Sequence, residues 1–193
     1  NVDGVASITL VDADANNLAN AADGVSLNTI SGSLNNGATM SFSVKDSASA
    51  LASANAANSG ALNLADSVSV DTSAGTTAND LTVSEANDLN LITGYNNTGD
   101  YTITDIAAAV AGSSTALLGD ADSVLVTGVA DATQGVTING FENSLGTITF
   151  NVEDSATNLS ANAANLDLAD VVSVDTSAGT TANDLTVSEA NDL

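Results

Sequence analysis

Cysteine, histidine, arginine, proline and tryptophan are all absent from this chain, and each absence removes a class of chemistry or architecture. Without Cys there is no disulfide framework, and without Cys or His a zinc site has no sulfur or nitrogen ligands. Lys45 is the only basic residue, against 24 Asp and Glu, and the formal net charge is −23. Nucleic acid and anionic lipid surfaces are bound through Lys and Arg, so neither is an expected partner. Aromatic residues make up 3% of the chain. A polysaccharide-cleaving site built on paired carboxylates needs aromatic platforms and basic or amide groups to hold sugar. Those groups are nearly missing here, and an enzyme is not expected. No apolar run approaches the roughly 18 residues that a membrane span needs, so membrane insertion is not expected. No positively charged leader opens the chain, and any secretion address is expected outside these residues.

What is present is small and regular. Apolar residues are 44% of the chain, with Ala supplying much of that share, so the core is expected to be thin and the backbones close together. Regular alternation of Val, Ile and Leu with polar residues argues against charge-driven disorder. One stretch occurs twice. Residues 65–89, ADSVSVDTSAGTTANDLTVSEANDL, return 104 positions later at 169–193, with Ser67 replaced by Val171 as the one change. Near-identity that includes Thr, Ser and Asn points to a copied unit, and the 193 residues are expected to be a window on a longer tandem array.

The pattern along the chain predicts short strands joined by polar loops and Ala-rich helical turns. Val5–Leu10 alternates and reads as a strand. Val11–Asp23 carries Ala15, Leu18 and Ala22 at helical spacing, with Gly24 as its terminator. Strands are predicted over Val25–Ile30 and Met40–Val44, and Asp46 is predicted to cap a helix over Ser47–Ala57. In the first copy of the repeat, Val68 and Val70 lie on one strand and Thr72–Asp80 is a loop. Leu81 and Val83 begin another strand, and Ser84 caps a turn carrying Ala86 and Leu89. Tyr101–Thr104 is a strand, and Asp105 caps Ile106–Ala111 before Gly112. Later stretches echo earlier ones: Gly135–Asn139 (GVTIN) matches Gly24–Asn28 (GVSLN), and Ser160–Asn165 matches Ser53–Asn58.

Two super-repeats follow: 1–89, incomplete, and 90–193, in which 169–193 repeats 65–89. Strands linked through helices run parallel. The expected fold is therefore a β-rich repeat protein, a parallel β-solenoid with short helical corners. Its interior would hold Ile8, Phe42, Val70, Val83, Ile103, Val126, Ile138, Phe150 and Val174. Tandem antiparallel β-sandwich domains are the alternative, against which stand the missing Pro and Trp.

One constellation has metal-ligand spacing. Asp12, Asp14 and Asn16 present oxygens at alternate positions and Asp23 falls twelfth, as in a calcium-binding EF-hand loop. Asn17 stands where that loop needs Gly, and long flanking helices are missing, so a polar cap in a solvated turn is the competing account. Asp120/Asp122, Glu153/Asp154 and Asp167/Asp170 are further acidic corners. Asn96-Asn97-Thr98 and Asn158-Leu159-Ser160 fit the N-glycan acceptor pattern. Thr102/Thr104 and Thr147/Thr149 could seed a flat ice-binding face, but recur too irregularly for an array.

The run Val152-Glu153-Asp154-Ser155-Ala156-Thr157-Asn158-Leu159-Ser160-Ala161-Asn162, with Ala121–Thr127, resembles the repeats of large secreted bacterial surface proteins, the haemolysin-type adhesins and surface-layer-like proteins. The resemblance implies an extracellular or cell-surface location and a use for calcium. The glycine-aspartate nonapeptide that builds calcium β-rolls in that group is absent, so those sites do not carry over. The functional expectation is an extracellular structural repeat protein, a stalk or a filament that associates with further copies end to end. An adhesive module for surface carbohydrate, mineral or ice is the alternative.

Overall fold

The computed structural model describes residues 7–9, 18–34, 39–96 and 99–192. The chain forms two compact units, Asn1–Thr102 and Ile103–Leu193.

The first unit begins with β1 (Ser7–Thr9), β2 (Leu18–Ala19) and α1 (Ala21–Gly32). Next come β3 (Thr39–Ser41), β4 (Ser43–Asp46), α2 (Ala48–Ala57) and β5 (Ser67–Val70). It continues with β6 (Asp80–Leu81) and α3 (Val83–Asn90). β1 pairs with β3, and β2, β4 and β5 lie side by side in that order, every pair parallel. α1 and α2 provide the crossovers that parallel neighbours need. Phe42, Val44, Leu51, Leu62, Val68, Leu81 and Leu89 are buried beneath them.

β7 (Thr102–Ile106) leads into the second unit, followed by α4 (Ala107–Ala111), α5 (Thr115–Gly119) and β8 (Ser123–Thr127). α6 (Ala132–Leu145), β9 (Ile148–Thr149), β10 (Asn151–Asp154), α7 (Ala156–Asn162), β11 (Val171–Val174) and α8 (Val187–Asp192) complete it. β8 pairs with β9 and β10 with β11, again in parallel. Ile103, Val124, Ile138, Phe150, Val152 and Leu159 fill its interior.

The β-solenoid expectation is corrected by this arrangement. Among the described residues helix is the main element and the sheets are small and parallel, so the fold is α/β. The parallel ladders equally exclude antiparallel sandwich domains. The physical reason is visible at Gly24–Asn28 and Gly135–Asn139, whose alternating Val, Leu and Ile predicted strands. Both stretches are helical. Ala21 and Gly24 in α1, and Ala132, Gly135, Ile138 and Asn139 in α6, are the buried positions, spaced by three and four. Gly24 does not end a helix; it lies inside one and is buried. Val83 begins α3 rather than a strand, and the cap of that helix is Thr82, not Ser84.

Of the expected interior, Phe42, Val70, Ile103, Val126, Ile138 and Phe150 are buried. Val83 is half-buried, and Val174 is 40% exposed. The side chain of Ile8 lies outside the described residues.

Candidate functional site

The expected metal constellation is only partly described. Asp12, Asp14 and Asn16 lie outside the described residues. Asp23 sits in the first turn of α1, where its N–H donates to Asn20 Oδ1 at 2.9 Å and its Oδ2 accepts from Asn20 Nδ2 at 2.9 Å. A carboxylate there is favoured by the positive end of the helix dipole. Among the described residues no group of three or more carboxylates could hold a metal ion, and no helix is long and apolar enough to cross a membrane. Asn97 and Thr98 of one glycan pattern lie outside the described residues. Asn158 of the other is exposed, and its amide donates to Asp154 Oδ1 at 2.9 Å.

The polar groups instead form a repeated network that ties four helices, α1, α2, α6 and α7, to strands or turns further along the chain. The first N–H groups of a helix have no partner within the helix. In α1, α2, α6 and α7 the N-cap side chain satisfies the third residue: Asn20, Ser47, Asp131 and Ser155 accept from Asp23, Ala50, Gln134 and Asn158. The first residue's N–H is satisfied from much further along the chain. Ala21 N donates to Asp46 Oδ2 at 2.9 Å and Ala132 N to Asp154 Oδ2 at 2.9 Å. Ala48 N donates to Asn79 Oδ1 at 2.8 Å and Ala156 N to Asn183 Oδ1 at 2.8 Å. Asp46 was expected to cap its own helix; Ser47 does that, and Asp46 serves the preceding one.

Asparagine amides do similar work at the other ends. Asn28 Oδ1 and Asn139 Oδ1 accept from Leu64 N and Leu168 N at 2.7 and 2.8 Å. Asn79 also donates to Asp71 O, as Asn183 does to Asp175 O. Sequence reading placed Asn79 in a polar loop and missed this role. The available signal was an Asn recurring at matched positions in both copies.

Electrostatics follow the same network. Burial alone would raise the Asp154 carboxyl, but hydrogen bonds from Ala132, Asn158 and Ser155 outweigh it and hold it below the ordinary Asp value. The Ser73 hydroxyl and N–H lower Asp71, with Lys45 3.5 Å away adding to the effect. Ser177 does the same for Asp175, and Thr186 lowers Glu189.

The two copies of the 25-residue repeat therefore fold alike. Asp71–Ser73 and Asp175–Ser177 form the same turn, and Thr82–Glu85 and Thr186–Glu189 the same reciprocal cap. Gly75 and Gly179 both adopt positive φ, 95° and 90°, a conformation that Gly takes at no steric cost. What differs is burial. Val68 and Val70 are 0% and 4% exposed, whereas their counterparts Val172 and Val174 are 44% and 40% exposed. In the first copy Val68 pairs in parallel with Tyr95, its N–H donating to Gly94 O and its carbonyl accepting from Asn96 N.

No protein-family model, no curated protein and no solved structure matches this chain.

Proposed function

We propose that the chain is an extracellular structural repeat protein, an element of a stalk or filament at a bacterial cell surface that associates end to end. The observation that carries this is the repeat itself: residues 65–89 return at 169–193 and form the same turn and the same reciprocal cap in both copies. The repeated caps support it, because Asp46, Asn79, Asp154 and Asn183 each supply a hydrogen-bond acceptor to a helix earlier in the chain. Acidic side chains on the remaining surface disfavour lateral sticking, so growth at the ends is preferred. The likeness of Val152–Asn162 to secreted surface repeats supports the location. Cations, calcium among them, would act by screening the charge of −23. Electron micrographs of the purified protein test the proposal. Rods or fibres of uniform width that lengthen with concentration are expected; isolated compact particles at every concentration would overturn it.

A further inference from the structure

We infer that Asn139-Gly140 is a self-modification site, an asparagine amide that the folded second unit holds inert and that converts to aspartate or isoaspartate once α6 opens. Glycine is the following residue that allows this reaction most readily, because no side chain hinders attack by its backbone nitrogen. The Gly140 nitrogen loses its proton and attacks Asn139 Cγ. A C–N bond forms, the Cγ–Nδ2 bond breaks, and the amide nitrogen takes up a proton and leaves as ammonia. Water then opens the five-membered imide at either carbonyl. One opening gives aspartate; the other reroutes the backbone through the side chain and gives isoaspartate. The reaction needs only water.

The fold blocks that attack twice over. Asn139 is buried, its Nδ2 donates to Asp167 Oδ1 at 3.1 Å, and its Oδ1 accepts from Leu168 N at 2.8 Å. A helical backbone also commits the Gly140 N–H to the carbonyl four residues back and turns it away from Cγ. The side chain that reacts is therefore the one that fastens α6 to the turn at 167–168. Intrinsic helix propensity adds little, since Gly135, Gly140 and the β-branched Thr133, Val136, Thr137 and Ile138 all disfavour α6. Its Asp131–Gln134 cap and its tertiary contacts hold it instead. The first unit has the same fastening without the reaction. Asn28 accepts from Leu64 N at 2.7 Å and donates to Gly60 O at 3.3 Å, but Thr29 follows it, and a branched side chain hinders the attack. Neither product restores the original contacts. A carboxylate has no N–H to give Asp167, and isoaspartate adds a methylene to the backbone that puts the helical hydrogen bonds out of step. A transient opening of α6 thus becomes permanent.

The test incubates the native chain in mildly alkaline buffer, with and without denaturing urea. A glutamate-specific protease then releases the peptide ending at Glu142, which leaves the other Asn-Gly pair, Asn36-Gly37, on a different peptide. Mass spectrometry follows aspartate and isoaspartate at position 139. Conversion should be at least about tenfold slower in buffer than in urea, because only the opened fraction reacts. Asp131→Ala, which removes the N-cap, should speed conversion severalfold in buffer and leave the rate in urea unchanged. If that variant does not fold, urea concentrations below the unfolding transition of the native chain take its place, and the rate should climb with them. Equal rates in buffer and urea, or no acceleration when α6 is loosened in a folded chain, would overturn the inference. In the purified isoaspartate form, amide exchange at Leu168 should be at least about tenfold faster than in the native chain. Unchanged exchange there would refute the claim that the reaction unfastens α6.

Discussion

A Cβ built on Gly24 would lie 2.6 Å from Val44 Cγ2, so α1 rests on β4 at a distance that only glycine permits. Gly135 repeats the relationship, with Val152 Cγ2 at 2.7 Å and Leu166 Cδ2 at 2.9 Å. Val44 and Val152 are fully buried and have nowhere to move. In a core of small side chains this close approach replaces the bulk that aromatic residues supply elsewhere.

Gly135→Ala is therefore expected to destabilise the second unit. Overpacking costs about 1–3 kcal/mol, against a gain of about 1 kcal/mol in helix propensity. Gly140 lies in the same helix with nothing within 4 Å of its missing Cβ. Gly140→Ala should stabilise by about 0.5–1 kcal/mol. Urea unfolding of the two variants checks the opposite signs; two gains would refute the packing account.

Asn79 is 7% exposed and serves two backbone groups, accepting from Ala48 N and donating to Asp71 O. Asn79→Ala leaves both unsatisfied and should cost about 1–3 kcal/mol. Asn183→Ala removes the same bonds at a more exposed position, where water replaces them, so its cost should be smaller. Equal losses in chemical denaturation would contradict the difference in burial between the copies.

The Asp154 carboxyl lies below its unfolded value, so its contribution is complete above about pH 4 and is lost as pH falls through the folded value. Falling pH also relieves the chain's negative self-repulsion, which works the other way. Comparing Asp154→Asn with the native chain separates the two. The variant should melt lower near neutral pH, and the gap should close as pH drops below about 4. A gap that is constant with pH would remove the carboxylate's role.

Much of the local chemistry was legible in the order of residues. The repeat at 65–89 and 169–193 announced itself, and Gly112 was placed correctly as the end of α4. The helical stretches at Val25 and Val136 were not legible, because Val-Ser-Leu and Val-Thr-Ile alternate as strands do. Only the strand that packs against Gly24 shows that small residues at three- and four-residue spacing form the buried side. The Asp46 and Asn79 bonds span 25 and 31 positions, and no local pattern encodes a partner so distant.

Salt should stabilise the native chain. With a charge of −23 and the one cation Lys45, raising ionic strength to about 0.1 M shortens the screening length to about 10 Å and weakens self-repulsion. The melting temperature should climb with added sodium chloride. A flat or falling trend would show that the acidic surface carries no net folding penalty.

The most direct test of end-to-end association is sedimentation velocity of the native chain across a wide concentration range at moderate salt. Species that grow steadily with concentration are expected. A native chain that remains one compact species at every concentration would contradict the account.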